Sequence, residues 1–257
     1  VPRAIWCRRR QAIGVAAFSL LTLVGCSARA DDKQPPAEPV GLPQSWIWSA
    51  ASGIPIDSAD ARTVRGWFES AVLFQGALVS YPGFPQATSA DLLNELMPAD
   101  DGLQRAGTER LLIRSITVTD GHLNASVCVD GWDGSYFTSA GKFHRAEIAL
   151  VVQTLDMRKG GPTTASPARA GQALVADSAP SPVGGRPYSS WLKGPSDNVF
   201  GGWIAYNREF AAPPADCIAW FKKSHPTIKY PITYANDKRP NRPTSAPPPT
   251  LPASPGW

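Results

Sequence analysis

The sequence is poor in charge. Charged residues make up 18% of its 257 positions, against about a quarter in ordinary soluble domains, which argues against a highly charged disordered chain. Lys and Arg number 25 and Asp and Glu 21, for a formal charge of +4. Arg3, Arg8, Arg9 and Arg10 all precede Cys26, so the chain beyond it is formally neutral. It lacks the clustered basic footprint that a phosphate backbone requires, and nucleic acid is not an expected partner. No run after Cys26 approaches the ~18 apolar residues of a membrane-spanning helix. Among motifs, Gly-x-Ser-x-Gly and a Gly-rich loop after a strand are both missing. Ser190-x-x-Lys193 and Ser196-Asp197-Asn198 spell two phrases of penicillin-binding enzymes. They stand side by side in a polar stretch with no Lys-Thr-Gly, so their context is wrong. His122, His144 and His225 have no metal-ligand spacing and read as ordinary surface histidines. Asp130-Gly-Trp-Asp133-Gly offers too few oxygen ligands for calcium and reads as a hairpin turn. Asn124-Ala-Ser126 is a glycosylation acceptor only by coincidence. No catalytic residue, metal ligand or cofactor is nominated.

The beginning of the chain carries a clear address. Arg8-Arg9-Arg10 form a charged segment, and Ile13 to Val24 an apolar one of about twelve residues, the layout of an export signal. Leu23-Val24-Gly25-Cys26 follows. This segment resembles the lipobox of bacterial lipoproteins: an aliphatic residue, two small or tolerated ones, then Cys. The resemblance implies acylation of the Cys26 thiol and cleavage after Gly25, with residues 1–25 removed. Several acyl chains on Cys26 would anchor the protein stably to the cell membrane, facing outside the cytoplasm. The excess of Arg over Lys and the richness in Ala, Pro and Gly suggest a high-GC, Gram-positive type of source.

Four cysteines are present. Cys7 leaves with the signal and Cys26 takes the lipid. Cys128 and Cys217 remain in an oxidising compartment, where they are expected to form a disulfide.

Composition divides the rest. Residues 26–56 are polar and Pro-punctuated and read as a lipidated tether. Within them Trp46-Ile47-Trp48 is expected to pack onto the domain as its first ordered contact. Residues 57–235 read as the folded ectodomain. Residues 157–198, rich in Gly, Pro, Ala and Ser, read as a flexible insertion or lid. Residues 236–257 read as a Pro-rich disordered tail.

Inside the ectodomain, Val64, Trp67, Phe68, Ala71, Val72, Leu78 and Val79 recur at helical spacing. Asp57, Ser58 or Asp60 can cap this helix, and Tyr81-Pro82-Gly83 stops it. Thr88-x-x-Asp91 suggests a capping box for a second, short helix. Strands are expected at 111–119, after the Thr119-Asp120-Gly121 turn, from Ala146 to Val152, and at 199–206. In the second of these Leu123, Ala125, Val127 and Val129 share one face, and Asn124, Ser126, Cys128 and Asp130 the other. Asp216 to Ser224 reads as a helix, with Lys222-Lys223 in its last turn. The expected class is α+β: N-terminal helices packed on a curved antiparallel sheet of about four or more strands, with a Pro-rich insertion.

This order of elements resembles the cone fold shared by nuclear transport factor 2 and ketosteroid isomerase. The echoes are the helix ending at Tyr81-Pro82-Gly83, Ser126-Val127-Cys128-Val129-Asp130 after a Thr-Asp-Gly turn, and Gly202-Trp203 leading to Cys217. The resemblance implies a cone-shaped pocket but places no family catalytic residue on this chain.

Trp132, Tyr136 and Phe137, together with Trp191 and Trp203, are candidate ligand-binding aromatics, since such rings join an apolar face to a polar handle. The expected function is a non-catalytic, lipid-anchored binding or scaffolding protein of the cell envelope. Its candidate partners are an envelope protein, a lipid or a glycan. A lipid or glycolipid carrier and an enzyme with a cone-fold pocket are the alternatives. A filled core would favour binding, a deep pocket holding one buried carboxylate an enzyme, and a large apolar cavity a carrier.

Overall fold

A computed structural model describes residues 44–77, 80–97, 104–137, 142–145, 149–160, 194–232 and 243–257. Cys26, Trp191 and the expected signal segment lie outside the described residues. The architecture is α+β, with an open, mixed six-stranded sheet and few helices.

The sheet grows from one long hairpin. β2 (Gln104–Thr119) and β3 (His122–Phe137) pair antiparallel along their whole length. The turn between them holds Asp120 at φ 50° and Gly121 at φ 75°. Positive φ at both central residues suits the right-handed twist of the flanking strands, which is why Asp-Gly is found there. β5 (Leu150–Lys159) pairs antiparallel with β3, and β6 (Trp203–Ala211) with β5. The short β4 (Phe143–Arg145) pairs with the far end of β3. β1 (Gln44–Ala50) joins the other edge, parallel to β2.

Several expectations are corrected here. The sheet is mixed, because β1 comes from the segment read as a tether. Trp46 and Trp48 are buried, so this strand belongs to the core. The expected turn at Asp130-Gly131 and Asp133-Gly134 does not form, and β3 runs straight through it. A bulge in β3 absorbs the extra residue, Gly131 and Trp132 standing opposite Glu109 alone. Asp130 turns its carboxylate back onto the Trp132 backbone N–H at 2.9 Å. The strand expected at 199–206 starts later, because Gly201 and Gly202 both adopt positive φ and make a turn. β5 extends to Lys159, into the stretch assigned to the insertion.

α1 (Ala59–Ala77) starts where the Ser58 hydroxyl accepts from the Ala61 N–H. α2 (Ala90–Leu96) is capped by Ser89, not Thr88. The Thr88 hydroxyl is occupied elsewhere, accepting from the Trp67 indole and donating to the Phe84 carbonyl. α3 (Ala215–Ser224) ends on His225, whose N–H bonds the Phe221 carbonyl.

The main buried cluster unites Val64, Trp67 and Phe74 of α1 with Ile113, Val127 and Leu155 of the sheet. Complete burial of each such side chain stabilises by roughly 1.5–3 kcal/mol. On the other face of β3, Cys128 and Val152 meet Cys217 of α3. The alternation along β3 thus sends Leu123, Ala125 and Val127 to one cluster and Cys128 to the other. The Cys128–Cys217 disulfide is formed, with Cα atoms 5.8 Å apart.

The C-terminal stretch is not a free tail. Thr244 pairs with Phe143, and Ser254 exchanges backbone hydrogen bonds with Trp46 and Trp48. The Leu251 N–H donates to the Thr108 hydroxyl at 2.9 Å. Gly107, at φ 92°, makes room for this strap: a Cβ there would lie 2.8 Å from Cγ of Pro248. Proline removes donors from the segment, and among the N–H groups it keeps, those of Thr244, Leu251 and Ser254 find acceptors on the rest of the domain.

Candidate functional site

A pocket of about 580 Å³ opens between this strap and the β3–β4 end of the sheet. Its walls are largely apolar: the Trp132 ring, Phe143, Pro247 to Pro249 and Leu251. Leu251 is 44% exposed at the rim. The polar lining comes from Thr108, Asp133, Ser135, Arg145 and Thr244.

Most of those polar groups are engaged within the protein. Thr108 bonds Ser45 and Leu251, Thr244 donates to the Ala246 carbonyl, and Asp133 pairs with Arg110. Ser135 differs. Its residue is 8% exposed, and its hydroxyl has no hydrogen-bond partner among the described residues. An unsatisfied buried hydroxyl costs about 1–3 kcal/mol, and this one is closed off from solvent although its residue lines the pocket. Ser135 lies directly opposite Arg145 in the β3–β4 register. Directly opposed residues leave the same face of a sheet with Cβ atoms roughly 5 Å apart. The two residues are therefore neighbours in the strand register, and both line the pocket.

Trp132 links this pocket to α3. Its ring meets Phe221 and His225 edge-on or tilted, at centroid distances of 6.1 and 5.9 Å. His225 is buried, not the surface histidine expected, and its Nε2 stands 2.8 Å from Asp130 Oδ2. Asp130 is wholly buried and has Arg110 at 4.0 Å. The disulfide, this Asp–His pair and the Arg114–Asp216 ion pair hold α3 at three points. Together they fix the support behind Trp132.

No family model, curated protein or solved structure matches this chain.

A second cluster of charged groups lies in the core. Glu69 is buried and accepts from three donors: the Trp48 indole at 2.7 Å, the Tyr81 hydroxyl at 2.5 Å and the Trp257 indole at 2.8 Å. Burial raises the Glu69 carboxyl above its ordinary range, against the pull of those donors and of Arg65. Burial likewise raises the Tyr81 phenol well above its usual value, and the Glu69 charge adds to this. Arg65, four residues before Glu69, donates to the carbonyls of Pro255 and Gly256 and lies 4.6 Å from the Trp257 ring. Burial lowers its pKa. The same treatment on β6 brings Arg208 down to about 10, by burial first and by Arg105 second.

Of the candidate aromatics, Trp132 lines the pocket. Trp203 is buried in the main cluster, beneath the Lys159 ammonium, and is not part of the lining. The backbones of Tyr136 and Phe137 pair with β2 and β4. Sequence reasoning missed Ser135, Arg145, Glu69, Arg65 and Trp257. A signal existed for two of them. Ala61, Val64, Arg65, Phe68, Glu69 and Val72 make one broad helical stripe, with two charges set among apolar residues. Among the described residues no three His, Cys, Asp or Glu side chains gather as a metal site, and no helix is long and apolar enough to cross a membrane.

Proposed function

We propose that this chain is a lipid-anchored binding protein of the cell envelope, held through Cys26 and facing outside the cytoplasm. On this reading helices cover one face of a curved, cone-like sheet, and the ligand enters elsewhere. One observation carries it: the buried carboxylates are consumed by internal partners, while the open pocket is apolar. Glu69 has three donors and Asp130 has His225 and a backbone N–H. A general base must lie within reach of substrate, and both carboxylates are buried among their internal partners. The space that a cone-fold enzyme would use is filled by Trp67, Phe74, Phe84 and Phe200. The disulfide is in keeping with an oxidising compartment.

The test is a native mass spectrum of the protein extracted from a lipoprotein-processing host, set beside its denatured mass. A chain beginning at Cys26, with acyl mass added and extra mass that leaves on denaturation, is the expected result. A chain retaining residues 1–25 without acyl mass would sink the anchor. A lipidated chain with no bound mass would sink the small-ligand form of the reading and leave a protein-binding scaffold.

A further inference from the structure

We infer that the pocket between the strap and β3–β4 encloses the uncharged hydrocarbon tail of a lipid, whose polar head stays in water at the open rim. This deepens the binding reading above and rests on it. The chemistry of the lining decides the class. Every polar side chain of the wall is already engaged inside the protein or closed off. Thr108 meets Ser45 and the Leu251 N–H, Thr244 donates to the Ala246 carbonyl, and Asp133 pairs with Arg110. Arg145 and Trp132 also have partners within the protein. The Ser135 hydroxyl is closed off from solvent. A charged or hydroxyl-rich ligand would exchange water for groups that are already engaged, at a cost for each of its polar atoms. A peptide segment would bring backbone N–H and C=O groups into the same difficulty. A hydrocarbon tail brings none.

Surface and size agree with a tail. Trp132, Phe143, Pro247 to Pro249 and Leu251 supply the apolar walls. The three prolines carry no N–H, so the strap backbone offers no donor there. The volume of about 580 Å³ is roughly four times the ~150 Å³ of an apolar cavity that holds one benzene. Leu251, 44% exposed at the rim, continues the apolar surface outward.

The experiment uses the full chain with Cys26→Ser, which removes the thiol that would carry acyl groups. Radiolabelled methyl decanoate, methyl dodecanoate and methyl tetradecanoate, and the three free acids, are followed by equilibrium dialysis. The esters are expected to bind, with affinity rising by up to about fourfold for each added CH₂, and each acid to bind no tighter than its ester. An acid tighter than its ester by about threefold or more would reveal a free cationic partner and overturn the uncharged assignment. Affinity that ignores chain length overturns the enclosed tail. Leu251→Asp sets a charge at the rim and should weaken the esters by at least about threefold. Phe210→Asp changes a similarly exposed apolar residue on β6, outside the lining, and should leave them unaffected. Ester binding that ignores Leu251→Asp, or that falls as far with Phe210→Asp, overturns the site. No ester binding, alongside a different small molecule in the native mass spectrum, overturns the ligand class and leaves the binding reading intact. No bound species in either experiment overturns both.

Discussion

Trp257 should behave as a core anchor even though it follows a run of prolines. Its indole N–H reaches Glu69 at 2.8 Å, its ring lies 5.7 Å from Tyr81 at 75°, and Arg65 sits 4.6 Å over its face. A hydrogen bond to a charged acceptor contributes about 1.5–3 kcal/mol. The T-shaped pair adds about 0.5–1.5 kcal/mol, and the cation–π contact about 1 kcal/mol. These are not additive, and the residue is half-buried, so Trp257→Ala should cost about 3 kcal/mol, the low end of the range for aromatic truncation. Trp257→Phe keeps a ring and loses the N–H, and should cost about 2 kcal/mol. The assay is urea unfolding at neutral pH, followed by far-ultraviolet circular dichroism. The midpoint should fall with the slope unchanged, since the exposed area hardly alters. If Trp257→Ala stays within about 0.5 kcal/mol of the parent, as an ordinary surface change would, the strap does not dock at Glu69 and the core described around Arg65 is wrong.

Other consequences can be checked on the same material. Replacing His225 by Leu leaves Asp130 buried with only the Trp132 N–H and, at 4.0 Å, Arg110, and should lower unfolding free energy by about 3 kcal/mol; a change under 1 kcal/mol would mean that the pair is not formed. Reducing the disulfide, which spans 89 residues, should cost roughly 4–5 kcal/mol by loop entropy, measured with and without reductant, and an unchanged midpoint would argue against it. For Glu69 the sign follows from burial, which raises its carboxyl above the ordinary value of 4.5. The folded chain then holds this proton at higher pH than the unfolded chain, so the contribution is full below that value and is lost as pH rises through the folded one. Compared with Glu69→Gln, the parent should lose stability as pH climbs from about 4 towards neutrality; a relative gain would contradict the assignment.

The local rules were readable because they depend on neighbours in the chain. The helix of Val64, Trp67 and Phe68, the Asp120-Gly121 turn, the two faces of β3 and the α3 stretch all follow from periodicity and turn chemistry. The Cys128–Cys217 bridge, formed in the structure, followed from counting thiols on the expectation of an oxidising compartment. The expected export signal and lipid anchor are likewise read from one contiguous segment, which lies outside the described residues.

What needed tertiary structure was each case in which a distant segment changed a residue's surroundings. Arg65 and Glu69 are charges set within the apolar stripe of α1. They are buried because residues 255–257 return over them. The proline-rich stretch looked unfoldable, since it has few donors and little to bury by itself. It is ordered because β1, β2 and β4 present acceptors, donors and a glycine-lined path for it. The pocket has the same origin: one wall is Ser135 and Arg145, brought opposite by strand register, and the other is a strap about a hundred residues further along the chain. Sequence periodicity reports which face of an element is apolar. Only the tertiary structure decides what covers that face, and so which charges are buried.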